Sequence, residues 1–348
     1  MLSWIYGKIT NIRNSLYEKD VFKSYSLGAP AISVGNITVG GTGKTPMVAF
    51  VAQVLIERDE KVCILTRGYG RENPKERVLV ADGEKILADA RTAGDEPFEL
   101  ARKLGGKAVI IADRDRVAAA KWAKEKFGVS VFVLDDAFQH RRARRDLDIV
   151  LLDATNPFGN EKTLPFGRLR EPLENLNRAG LIIITRANLA TEERITNYEL
   201  RITNYNPDCP ILTAENKISK LVALDDFLSN SQSRSDHRPP TTDHCFAFCA
   251  LGNPDNFFEQ LRREKFNLTA TRNFPDHHRY TQSDAAKIEA EAKQNGAEIL
   301  LTTAKDAVKL AHLEFEMPCF VVESKMIFDD EKKLRELISA VFNPKSKI

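Results

Sequence analysis

Short apolar runs separated by segments of helical periodicity organise the first half of the chain. Residues 31–34, 61–66, 108–112, 129–134, 149–152 and 181–184 are mainly apolar runs of four to six residues. Between them, 46–57 and 115–127 carry the spacing of helices. Strands that are apolar on both faces and alternate with helices predict a parallel sheet covered on both sides. The first run ends at Gly35 and leads through a glycine-rich turn into the 46–57 segment, predicting strand, loop and helix.

A different pattern opens the chain. Leu2, Ile5, Ile9, Ile12 and Leu16 recur at spacings of three and four, one stripe of a helix. Two readings fit that stripe. It packs the helix on its own domain, or it lies in a membrane interface with Lys8, Arg13, Lys19 and Lys23 towards anionic head groups. Residues 1–23 have neither the unbroken apolar core nor the cleavage site of a secretory signal.

The texture changes after about residue 185. Arg194-Ile195-Thr196-Asn197-Tyr198 repeats as Arg201-Ile202-Thr203-Asn204-Tyr205, read as a surface insertion. Residues 230–243 are rich in Ser, Pro, Asp and Arg and read as a linker. Strand runs at 245–251, 299–302 and 319–323, with helical patterns at 255–264 and 284–295, predict a second α/β unit. The expected organisation is an N-terminal helix (1–23), a P-loop domain (24–189), an insertion and linker (190–243), and a smaller α/β domain (244–348).

Composition narrows the partners. The 348 residues leave room for about two domains, and 43% hydrophobic against 29% charged residues excludes a disordered chain. A net charge of +2 supplies no global field, and aromatics are not interleaved with the basic clusters as in nucleic-acid modules. No nucleic-acid partner is expected. Five cysteines without a CxxC pair fit a reducing compartment, and no apolar run is long enough to span a bilayer.

The candidate chemistry starts at Thr38-Val39-Gly40-Gly41-Thr42-Gly43-Lys44-Thr45, between strand and helix. This is where a phosphate-binding loop sits, with backbone N–H groups and a helix N-terminus turned on phosphate oxygens. Lys44 is expected to reach the β- and γ-phosphates of a nucleotide and Thr45 to place its hydroxyl on Mg²⁺. The first position is Thr38, not glycine, so Gly40 and Gly41 are expected to supply the freedom. The run 131–134 ends in Asp135 and Asp136, the acidic strand end that holds the magnesium shell in P-loop enzymes.

Gly94-Asp95-Glu96-Pro97 precedes a helical stretch. It reads either as a helix start with dipole-complementing acids or as a base beside a metal-associated carboxylate. Asp276-His277-His278 lacks a third ligand at metal spacing and reads as a solvated loop or as a histidine tuning a base. Arg67, His140 with Arg141 to Arg145, and Arg168 with Arg170 form basic loops. Arg67 and His140 follow strand ends, at the edge where open α/β sheets bind ligands, as an anionic second substrate would require.

Taken together, the 33–46 stretch, Thr66-Arg67-Gly68-Tyr69-Gly70-Arg71, Gly94-Asp95-Glu96-Pro97, Asp135-Asp136-Ala137-Phe138-Gln139-His140 and Leu169-Arg170-Glu171-Pro172 resemble the tetraacyldisaccharide 4'-kinase family. Phe274-Pro275-Asp276-His277-His278 and Thr302-Thr303-Ala304-Lys305-Asp306-Ala307 match its later motifs. The resemblance covers about residues 30–325, apart from the 190–243 region. It implies transfer of the ATP γ-phosphoryl to the 4'-hydroxyl of a tetraacylated glucosamine disaccharide 1-phosphate. The product is lipid IVA, made peripherally at the cytoplasmic face of the inner membrane of Gram-negative bacteria.

By that resemblance Asp95 is the base, His277 its partner and Glu96 a magnesium-associated residue. Arg67, Tyr69, Arg116, Gln139, His140, Arg168 and Arg170 contact the acidic lipid head group. Pro165-Phe166-Gly167-Arg168 departs from the family's usual Pro-Ala-Gly, and the Arg-Ile-Thr-Asn-Tyr repeat has no counterpart in its pattern. A competing reading is a nucleotide-dependent switch or metal-insertion NTPase. Thr303-Ala304-Lys305-Asp306 fails the guanine-reading N/T-K-x-D spacing because Lys305 and Asp306 are adjacent.

Overall fold

The computed structural model describes residues 1–229, 244–276 and 278–342. The chain forms two compact units, 1–215 with 326–348, and 216–325. The linker expected at 230–243 lies outside the described residues.

The first unit contains α1 (Leu2–Glu18), β1 (Ala31–Asn36), α2 (Lys44–Ile56), β2 (Val62–Thr66), β3 (Val78–Asp82), α3 (Ala90–Ala93) and α4 (Asp95–Lys103). It continues with β4 (Val109–Ala112), α5 (Arg116–Phe127), β5 (Val131–Asp135), β6 (Leu147–Asp153), β7 (Leu181–Thr185) and α6 (Glu192–Thr203). The long strand β8 (Ile211–Ala223) then carries the chain into the second unit. The strand order in the first unit is β8-β7-β6-β1-β5-β2-β4-β3, parallel except for β3 against β4.

The unbroken apolar runs follow from burial on both faces. Ile32, Val34, Ile64, Ile110, Val133 and Ile183 pack with α2 and α4 on one face. Their alternate neighbours Ala31, Cys63, Leu65, Ile111 and Phe132 pack with α5 on the other. Asp115 starts α5 by accepting from the N–H groups of Val117 and Ala118 at 3.1 Å. The order reverses at β1, where successive connections leave to opposite sides. That crevice at the strand C-termini is where such sheets take ligands.

The second unit holds α7 (Leu224–Ser229), β9 (Cys245–Cys249), α8 (Pro254–Arg263), β10 (Leu268–Asn273), α9 (Gln282–Gln294), β11 (Ile299–Thr303) and α10 (Ala304–Ala307). Parallel strands run β10-β9-β11 and on to β12 (Cys319–Phe328). After β12 the chain returns to the first unit, where α11 (Glu331–Ala340) adds Leu334 and Ile338 to its core. The compact units therefore divide at 215 and 325.

One local expectation gains detail and one is corrected. The Arg-Ile-Thr-Asn-Tyr repeat lies largely in α6, a helix with most of its residues open to solvent. Seven residues are close to two helical turns, so the repeat returns Ile195 and Ile202, and Tyr198 and Tyr205, to the same side, packed on the core. The apolar stripe of α1 does not pack on its own domain. Gly7, Thr10 and Asn14 are buried, while Leu2, Trp4, Ile5, Ile9 and Ile12 are exposed. Polar bonds seat the helix: Asn14 Nδ2 donates to Glu171 and Asn175, and Asn11 Nδ2 to Glu174, all at 2.8 Å.

Candidate active site

The loop expected to bind phosphate sits at the reversal point, between β1 and α2. Gly40 has φ +118° and Gly43, at the N-cap of α2, +87°. Both conformations favour glycine. The freedom expected at Gly41 is at Gly43 instead, because Gly41 has no positive φ. Thr38 is tolerated at the first position because it is extended, bridged antiparallel to Leu169.

Neighbouring strand ends brace the loop. Asn36 Nδ2 donates to Thr42 Oγ1 at 3.0 Å, and Thr185 Oγ1 donates to the Thr42 carbonyl at 3.0 Å. Arg186 donates to the Gly41 carbonyl at 2.8 Å and to Asp153 at 2.6 Å. Arg168 clasps Val39 both ways: its side chain donates to the Val39 carbonyl at 3.0 Å, and its own carbonyl accepts from Val39 N–H at 2.8 Å.

The acidic strand end lies beside Lys44. Lys44 Nζ is 3.8 Å from Asp136 Oδ1, and Arg170 Nη1 donates to both Asp136 oxygens at 2.8 and 2.9 Å. Asp136 adopts a left-handed φ of +46°, a conformation that costs free energy outside glycine and that Asp tolerates better than most residues. Burial opposes its charge, yet Lys44 and Arg170 hold its carboxyl below the usual range. Asp135 is enclosed and accepts from Thr66 Oγ1 at 2.9 Å. Burial, with repulsion from Glu96 and Asp136, pushes its carboxyl up to about 7.

Asp95 and Glu96 form the first turn of α4, so the helix-start reading describes their local structure and leaves their chemistry open. Gly94 is required there. A Cβ would meet the Tyr69 carbonyl at 2.7 Å, so only glycine lets the two loops close on each other. Arg67 and Tyr69 stand exposed on that second loop.

The other residues read as substrate contacts are committed inside the unit. Arg116 is buried and donates to the Asp135 carbonyl at 2.6 Å. Gln139 Nε2 donates to the Asn36 carbonyl and to Glu171, both at 2.9 Å. His140 is partly buried beside Arg116, Arg145 and Arg142, and burial with these cations pulls its imidazole down to about 4. It is neutral at pH 7.

In the second unit Asp276 pairs with Lys305 at 3.0 Å. His278 bonds Asp284 at 3.2 Å and stacks on Phe274 at 4.7 Å. His277 lies outside the described residues. Sequence reasoning missed Thr66, Asp153, Thr185 and Arg186. The signal was available: each ends an apolar run or lies within two residues after one, as Asp135 does.

The model of the tetraacyldisaccharide-1-P 4'-kinase family matches residues 1–343. The chain belongs to that family. The tetraacyldisaccharide 4'-kinase of Desulfotalea psychrophila is 37% identical over 320 residues, covering 92% of this chain and 89% of that one. That of Syntrophotalea carbinolica is 34% identical over 343 residues, 98% and 91% of the two chains. The crystal structure of the "apo" form of the Aquifex aeolicus LpxK in complex with ATP superposes with a TM-score of 0.75 at 32% identity, over 98% of this chain and 97% of that one. The protein is thus an ATP-dependent kinase of lipid A biosynthesis, and the switch reading is not favoured.

Proposed function

We propose that the kinase transfers the ATP γ-phosphoryl to the 4'-hydroxyl of a tetraacylated glucosamine disaccharide 1-phosphate, giving lipid IVA. The observation that carries this reading is the gathering of phosphate loop, acidic strand end and α4 first turn at one sheet edge, in a member of this family. Asp95 takes the proton of the attacking hydroxyl as the oxygen bonds to phosphorus and the ADP oxygen leaves. Loop N–H groups and Lys44 hold the phosphates in line, and Arg170 holds Asp136 beside Lys44. His277 is kept, from the family resemblance alone, as the histidine that serves the base; its neighbour His278 is engaged with Asp284 and Phe274.

The donor set fits magnesium. Among the described residues no three His, Cys, Asp or Glu side chains converge as a protein cage. Magnesium bound through one or two carboxylates plus phosphates needs none. An enclosed Asp135 repelled by Glu96 and Asp136 is a carboxylate that a divalent cation would stabilise. Thr45, Asp135, Asp136 and Glu96 are the residues to hold it, and bound there it would neutralise charge on the transferring phosphoryl.

Arg67 and Tyr69, exposed beside Gly94, are the contacts for the acidic head group, with Arg116, Gln139, His140, Arg168 and Arg170 as the framework behind them. Helix α1 supports peripheral docking on the cytoplasmic face of an inner membrane. Its apolar stripe is open, Phe166 adjoins it through a backbone bond to Ser3 Oγ at 3.2 Å, and no described helix is long and apolar enough to cross a bilayer. Labelled ATP incubated with a panel of acylated disaccharides tests the reaction. Label is expected in the lipid, and phosphate release without it overturns the reading.

A further inference from the structure

Glu171 is wholly enclosed, and both of its oxygens are fully engaged. Oε2 accepts from Asn14 Nδ2 at 2.8 Å and Arg178 Nη1 at 3.0 Å. Oε1 accepts from Gln139 Nε2 at 2.9 Å and Arg178 Nη2 at 3.1 Å. A carboxylate this deep is tolerated with such a complete donor set, here one guanidinium fork and two amides.

What those bonds hold is informative. The second hydrogen of Gln139 Nε2 goes to the Asn36 carbonyl at the end of β1, and Asn36 Nδ2 goes on to Thr42 Oγ1 within the phosphate loop. On its other side Asn14 belongs to the buried face of α1. A continuous path therefore runs Asn14–Glu171–Gln139–Asn36–Thr42. Along the same extended segment Arg168 and Arg170 turn to the opposite side and hold Val39 and Asp136. That alternation is the period of two expected of extended chain. A carboxylate at 171 also dictates that the Gln139 amide nitrogen, not its oxygen, faces inward.

We propose that Glu171 is a positioning residue for nucleotide binding. It fixes the phosphate loop through Gln139 and Asn36, and it ties the seating of α1 to that loop through Asn14. The inference rests on the reading of residues 38–45 as the ATP cradle.

Two substitutions in the full-length protein test it, assayed in detergent micelles so that vesicle docking does not enter. Glu171→Gln keeps the volume but turns a donor towards Asn14, Gln139 or Arg178. It is expected to raise the KM for ATP at least tenfold, with kcat within threefold and the KM for the lipid acceptor unchanged. Asn14→Ala removes the far end of the path and is expected to raise the KM for ATP two- to threefold. The ATP-induced rise in Tm shrinks in both variants. A merely structural Glu171 would lower Tm and leave the KM for ATP alone, so a folded Glu171→Gln protein with wild-type KM overturns the proposal. Should that variant not accumulate, a wild-type KM in Asn14→Ala overturns it equally. Lys44→Ala serves as reference: loss of ATP binding there with none in Glu171→Gln defeats this proposal alone, and retained ATP binding in Lys44→Ala defeats the cradle reading beneath it.

Discussion

Replacing Ile9 and Ile12 of α1 by serine separates membrane docking from folding. Ile9 is 60% exposed and Ile12 61%, so little of either side chain supports the fold. Burying a fully exposed isoleucine is worth about 1.5–3 kcal/mol, and at this exposure the pair would contribute roughly 2–4 kcal/mol on entering a membrane interface. At about 1.4 kcal/mol per factor of ten, vesicle partitioning falls roughly 30- to 1,000-fold. Exposed substitutions of this kind change folding stability by about 0.5 kcal/mol or less. Sedimentation with anionic vesicles measures the first effect and thermal unfolding the second. A double variant that partitions like wild type refutes the membrane reading of the stripe. One whose Tm falls by many degrees refutes the orientation of α1, because it would mean the stripe is buried.

Other perturbations probe the site. Asp95→Ala should lower kcat about 10²- to 10⁴-fold, the range for loss of a general base, with the KM for ATP within about threefold. Near-normal turnover removes Asp95 from that role. Gly40→Ala puts a Cβ 2.5 Å from Arg168 Nη2 at φ +118°, and strain of about 1–3 kcal/mol should weaken ATP binding roughly 5- to 150-fold by calorimetry. Unchanged affinity contradicts the loop conformation. His140 sits near 4 when folded, against about 6.5 unfolded. As pH falls between those values, the unfolded chain takes up a proton that the fold refuses, so stability declines. His140→Gln should make that decline in Tm shallower, and an unaltered slope between pH 6.5 and 4 would show His140 is not responsible.

The strands of the first unit were legible because parallel strands buried on both faces show as unbroken apolar runs. Edge and boundary strands are marked less reliably, since β3 shows a four-residue apolar run while β8 and β10 do not. β3 (VLVAD) and β10 (LTATRN) are half-buried, and β8 mixes buried and open positions along thirteen residues. The return of 326–342 to the first unit rests on Phe328, Leu334 and Ile338 meeting residues far away in sequence, which periodicity cannot express. In α1 the periodicity was present, but its usual meaning was inverted. An apolar stripe normally marks the packed face, and here Asn14 and Thr10 pack instead. The glycine-rich loop and both acidic pairs were readable as motifs, whereas the commitment of Arg168 to Val39, 129 residues apart, and of Arg170 to Asp136, 34 apart, depends on an extended segment laid against the loop.

The most direct measurement is mass spectrometry of the lipid after incubating the wild-type enzyme with ATP and a tetraacylated disaccharide 1-phosphate, with the phosphate positions resolved by NMR. The account predicts one added phosphoryl, at the 4' position, for each ATP consumed. ATP hydrolysed to free phosphate with the lipid unmodified would contradict it.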